Sequence, residues 1–149
     1  MYRAFNLLIV FLLSIATLGC ASPRPPLDTP SGKPEIIIQG VSKKQVVDLL
    51  VNNKLAEGFQ IKAVTSYALV IQRDIDDFNA QVIYGSDYDR TPAARVTYNF
   101  VDTQEGVRVF SKSEIITNPD SNYEKSSDAT GVWGEHQQAE LVRLRNSFK

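Results

Sequence analysis

The sequence predicts an α+β fold: a two-layer sandwich in which an antiparallel sheet of about four to five strands carries helices on one face. Three features predict it. A capping box at Ser42 opens a run with apolar residues at helical spacing, alternating segments pair off across turns, and a second helical stripe lies near residue 149. Helices held to one side of an antiparallel sheet bury their stripes and the sheet's apolar face in one core.

The first strand is expected at residues 35–39, where Ile36, Ile37 and Ile38 form a β-branched run stopped by Gly40. A helix follows. Ser42 and Gln45 stand at capping-box spacing, the hydroxyl accepting a first-turn backbone donor and the glutamine reaching back to the cap. Val41 and Val46 hold the hydrophobic-staple positions, and Val46, Val47, Leu49, Leu50, Val51 and Leu55 make the stripe. Gly58 supplies a left-handed cap, with Phe59 packing back on the last turn. Phe59, Ile61 and Ala63 then alternate with Gln60 and Lys62 in a half-buried strand, whose hairpin partner spans residues 67–72 beyond a turn at Thr65 and Ser66.

Asp76 and Asp77 open a short helix to Tyr84, their charges suited to its positive end, with Phe78 and Val82 on one face and Gly85 as its stop. Val96, Tyr98 and Phe100 alternate with Arg95, Thr97 and Asn99, and Val107 and Val109 resume the alternation after a polar loop, as in an antiparallel hairpin. The second strand continues through Ile115 and Ile116. Residues 118–134 read as a polar loop, with Tyr123 and Trp133 as its large apolar residues. The last helix is expected at residues 135–148: Glu135 at its positive end, Arg143, Arg145 and Lys149 at its negative end, and Leu141, Leu144 and Phe148 on one face. This order of elements resembles, in topology and without a shared motif, the helix-grip lipoproteins that accompany the outer-membrane barrel-assembly machine.

The first twenty residues carry a different signal. Arg3 is the one charged side chain before an apolar run at residues 7–15, and small residues precede Cys20. A cationic start, a short apolar stretch and a small-residue end describe a secretory signal, too short to span a bilayer. Thr17-Leu18-Gly19-Cys20 resembles the lipobox of bacterial lipoproteins, with Gly19 and Cys20 matching and Thr17 standing where that family usually has an aliphatic residue. The resemblance implies diacylglyceryl on the Cys20 sulfur, cleavage before Cys20 and acylation of the new amino terminus. Several acyl chains on one residue hold a protein firmly to a bilayer, at about 0.8 kcal/mol per buried methylene. Ala21 is not the Asp that this family associates with inner-membrane retention, so in a Gram-negative host the resemblance implies the periplasmic face of the outer membrane. Five of the seven prolines lie in residues 21–34. Proline there fixes φ and removes donors, so the stretch is expected to be an extended, semi-stiff tether. The chain thus divides into a signal peptide at residues 1–19, the lipidated Cys20 and tether at 20–34, and a single α+β domain at 35–149.

Composition excludes several function classes. Sixteen basic against seventeen acidic residues give a net charge of −1 and no electrostatic case for nucleic-acid binding. One Cys excludes an intramolecular disulfide and a multi-Cys metal site. The lone His136, near a helix start, has no catalytic partner at recognisable spacing. Calcium loops counted from Asp74 or from Asp87 fail at the required Gly and Glu positions. Asp87 and Asp89, two apart on a loop, lack the fixed carboxyl separation of a glycosidase.

No catalytic residue, metal or cofactor is therefore assigned. Tyr and Arg anchor interfaces, which marks Tyr84, Tyr88, Arg90, Tyr123 and Trp133 as a candidate interaction surface. The function expected is a lipid-anchored envelope protein whose domain acts as a binding or assembly module. Its partners are the bilayer, through acylated Cys20, and an envelope protein or peptidoglycan. The alternatives are an envelope hydrolase using a carboxylate site, with Asp87 and Asp89 as its candidates, and a structural protein in contact with the cell wall.

Overall fold

Alternating strands build the sheet of this protein, and two amphipathic helices close it. The computed structural model describes residues 26–86 and 91–149. Among them the strands are β1 (Glu35–Ile38), β2 (Gln60–Val64), β3 (Ala68–Asp74), β4 (Ala93–Thr103), β5 (Gly106–Thr117) and β6 (Lys125–Asp128). The helices are α1 (Lys43–Ala56), α2 (Phe78–Tyr84) and α3 (Thr130–Asn146). The sheet order is β1-β5-β4-β3-β2, every pairing is antiparallel, and β6 joins β5 as the sixth strand.

The expected fold class is therefore the observed one, with one more strand than expected. β5 is long enough to serve two short strands on the same edge: β1 pairs with Val107–Phe110 and β6 with Glu114–Thr117. Between them the chain closes the ladder locally, with Ser111 N donating to Pro34 O (3.0 Å) and Ala129 N to Ser113 O (2.9 Å). β4 and β5 stay in register from Ala93↔Ile116 to Thr103↔Gly106. Gly106 sits at φ +138°, and a Cβ there would lie 2.3 Å from the Ile38 carbonyl oxygen, so only glycine lets β1 reach the start of β5.

Strand alternation puts one residue set on the core face: Ile36 and Ile38, Leu69 and Ile71, Val96, Tyr98 and Phe100, Val107 and Val109. Val46, Val47 and Leu50 from α1 and Leu141 and Leu144 from α3 complete the same cluster. α1 lies against β2, β3 and β4, and α3 against β1 and β5.

The α1 ends form as the sequence predicts. Gln45 N donates to Ser42 Oγ (3.3 Å) while Ser42 N donates to Gln45 Oε1 (2.8 Å). Phe59 N reaches Lys54 O (2.9 Å) and Gly58 N reaches Leu55 O (3.1 Å) across the left-handed Gly58, the paired bonds of a Schellman motif. Asp77 caps α2 by accepting from Ala80 N at 2.9 Å.

Three expectations are corrected. Residues 118–134 are not all loop: β6 adds by backbone pairing and by Ser126 Oγ donating to Glu114 of β5, its Lys-Ser-Ser-Asp having no apolar period, and α3 starts at Thr130, not Glu135. Asp128 Oδ1 accepts from Thr130 N (2.8 Å) just before that start, and the Thr130 side chain and backbone hold the Asp128 carboxyl below its usual range. Leu55 is 53% exposed, and Lys54 takes the buried place in the stripe. The Pro-rich stretch is folded over residues 26–34: Gly32 N donates to Thr29 O (2.9 Å), Thr29 Oγ1 donates to Lys33 O (2.7 Å), and Pro34 is fully buried. Leu27 packs into the notch left by Gly134 of α3.

Candidate functional site

Of the residues expected to form an interaction surface, Tyr88 and Arg90 lie outside the described residues, as do Cys20, Asp87 and Asp89. The structure ties Tyr84 and Tyr123 to one hub, the loop after β5. Thr117 Oγ1 donates to Tyr84 O (3.0 Å), Asn118 Nδ2 donates to Tyr123 O (3.3 Å), and Ser86 Oγ donates to Asn118 Oδ1. Asn118 is buried at φ 53°, a conformation that Asn tolerates better than most side chains. Around the hub Val82 (67%), Ile83 (68%) and Tyr123 (65%) are exposed. Trp133 stands apart, half-buried in the first turn of α3.

A polar network braces the same region. Arg95 grips Glu124 with two nitrogens (2.7 and 2.9 Å) and buried Gln72 with Nε and Nη2 (3.0 and 2.7 Å). Asp120 accepts from Lys62 at 2.6 Å. The hydrogen bond from Arg95 holds the Glu124 carboxyl below its usual range, and Glu124 in turn raises Arg95.

Two features were not recognised from the sequence. The first is the free edge of β1. Pairing of Pro34 with Ser111 and the β1–β5 register fix which backbone groups point into the sheet: those of Ile36 and Ile38 do, and those of Glu35 and Ile37 point away. Glu35 is satisfied by Gln138, whose side chain accepts from Glu35 N (2.8 Å) and donates to Glu35 O (3.1 Å). The outward N–H and C=O of Ile37 have no partner among the described residues. They face a groove of about 880 Å³ that wraps the β1 edge, from Arg108 on the outer sheet face to Arg145 and Phe148 at the α3 end. Arg108 is fixed there by Glu35 (2.7 Å) and by stacking 4.6 Å from the Phe110 ring centroid.

The second feature lies between α1 and α3. Lys54, 3% exposed, holds its ammonium between Glu57 (2.7 Å) and Glu140, and 5.2 Å from the Phe59 ring centroid. Burial lowers the Lys54 pKa against its hydrogen bond to Glu57, which raises it. The signal was present in the spacing, since Val47, Leu50 and Lys54 fall at i, i+3 and i+7 of one face. Beside it Tyr98 is fully buried at the centre of β4, and burial pushes its phenol up.

Among the described residues no helix is long and apolar enough to cross a membrane, and no cluster of His, Cys, Asp and Glu could hold a metal ion. Comparison of the chain with protein-family models, curated proteins and solved structures finds no match.

Proposed function

We propose that this chain is a lipid-anchored cell-envelope protein whose domain is a binding or assembly module for an extended polypeptide segment. The anchor reading is supported by the signal-like residues 1–19 and the lipobox-like Thr17-Leu18-Gly19-Cys20. The binding reading is carried by one observation: the unpaired backbone of Ile37 faces the 880 Å³ groove. An exposed strand edge is a template for another strand, whose main chain supplies affinity while flanking pockets select side chains. Here Arg108, Arg145 and Phe148 flank the edge, so the segment recognised combines an apolar residue with acidic ones.

The anchor is tested by metabolic labelling with a fatty acid. The wild type takes up label and Cys20→Ala does not; equal labelling removes the anchor. The binding mode is tested by in-cell photocrosslinking from Gln39. Ile37→Pro removes the outward donor and leaves the β1–β5 ladder intact, because proline is tolerated where its nitrogen faces away from the sheet. A crosslink to one defined segment of a partner, lost in Ile37→Pro, is the expected result. A crosslink indifferent to that substitution refutes strand addition.

A further inference from the structure

The cavity between α1 and α3 has a volume of about 330 Å³ and is lined by Leu50, Asn53, Glu57, Tyr98, Glu140 and Ser147, among others. That size is at the small end of ligand pockets, which run from about 300 to 1,000 Å³. It is too small for a peptide strand and separate from the β1 groove.

Its polar groups are arranged for a ligand. The Tyr98 hydroxyl is buried and has no hydrogen-bond partner among the described residues. A buried hydroxyl in that state is costly, which makes it a group awaiting a partner. It lies near enough to Glu57 to feel that carboxylate's charge. Lys54 engages one oxygen of each neighbouring carboxylate, Oε2 of Glu57 and Oε1 of Glu140. The other oxygen of each has no hydrogen bond among the described residues. Asn53, Glu57 and Ser147 are exposed on their outer sides, so the cavity opens to solvent between the helices.

The charge balance selects the class of ligand. Lys54 and Arg143 offset Glu57 and Glu140 around the cavity, so a net charge on the ligand meets an opposing group. The free groups are acceptors, two carboxylate oxygens and the Asn53 side-chain oxygen, and donors, the Asn53 side-chain N–H groups, the Arg143 guanidinium and the Tyr98 hydroxyl. A hydroxyl donates to the first kind and accepts from the second. We propose that this cavity binds one small, neutral, polyhydroxylated ligand, a single sugar ring or a polyol of that size, held by the Tyr98 hydroxyl and the free oxygens of Glu57 and Glu140.

The test uses the full chain, isotopically labelled, in zwitterionic micelles free of sugar headgroups. Glucose, N-acetylglucosamine and inositol are titrated to millimolar concentration while amide resonances are followed. At least one probe should give saturable shifts at Leu50, Asn53 and Ser147. Tyr98→Phe removes one oxygen that has no partner among the described residues, so its unfolding midpoint should equal or exceed the wild type's. The same variant should bind the probe about tenfold more weakly, the loss of one hydrogen bond to ligand. Glucosamine and glucuronate, which carry opposite charges, should each bind more weakly than the neutral probe. Absence of saturable shifts with all three neutral probes overturns the proposal. So do unchanged affinity in Tyr98→Phe and tighter binding of either charged sugar.

Discussion

Replacing Lys54 with methionine separates the two effects that meet at its ammonium. Methionine keeps the flexible stem and drops the charge, so the desolvation that lowers the Lys54 pKa disappears. Two carboxylates lose their counter-ion. The Glu57 side chain is 49% exposed and rehydrates at little cost; that of Glu140 is 15% exposed and does not. Removing one partner of a fully buried pair costs about 3–5 kcal/mol. With one carboxylate well hydrated and the other partly so, the expected loss at neutral pH is about 2 kcal/mol. Urea unfolding followed by the fluorescence of Trp133, the single tryptophan, measures it.

A second substitution makes the reading specific to Lys54. Adding Glu140→Leu replaces the remaining charge with an apolar group and restores most of the loss, a coupling that independent sites do not show. A variant as stable as the wild type, or a double variant whose loss is the sum of the singles, refutes the assignment.

Gly106→Ala should cost about 1–3 kcal/mol from backbone strain alone, and hydrogen exchange should rise first at Ile36 and Ile38, because the new methyl displaces β1 from β5. Ser42→Ala should lower stability by about 1 kcal/mol in urea unfolding, through loss of the cap to Gln45 N. The Glu124 carboxyl is depressed by Arg95, so its contribution to stability is present above the unfolded carboxylate value and lost as pH falls through the folded one. Carbon-detected titration should show Glu124 moving up toward the ordinary value in Arg95→Ala, and the stability difference between the two proteins should narrow in acid to what the lost Arg95–Gln72 hydrogen bonds contribute.

How much of this was legible in the sequence depends on whether local chemistry or tertiary contact decides each element. The Ser42 box, the Gly58 cap and the β4–β5 hairpin are written in side chains a few residues apart, and they form where the pattern puts them. β6 has no such pattern, since its Lys-Ser-Ser-Asp pairs with β5 through backbone and the Ser126–Glu114 hydrogen bond, with no apolar side chain. The start of α3 was hidden by Gly131 and Gly134, which read as breakers; Gly134 is in fact where Leu27 packs. The β1 edge depends on which backbone groups β5 leaves unpaired, and that is set by register between residues about seventy apart in sequence. The burial of Tyr98 followed from alternation, but the absence of a partner for its hydroxyl is a property of the assembled core alone.

The folded turn at residues 26–34 has a geometric consequence for a chain held at Cys20. Six residue steps separate Cys20 from Pro26, a reach of at most about 20 Å when fully drawn out. The leash is thus much shorter than the whole proline-rich stretch, and it leaves the domain beside the amino end of α3, where Leu27 is clamped. With about 1.5 Å of rise per residue, α3 carries Arg145 and Phe148 some 20 Å beyond that point. On the proposed lipid anchor, α3 would be a rigid strut that sets the standoff, its far tip presenting the β1 groove away from the lipid.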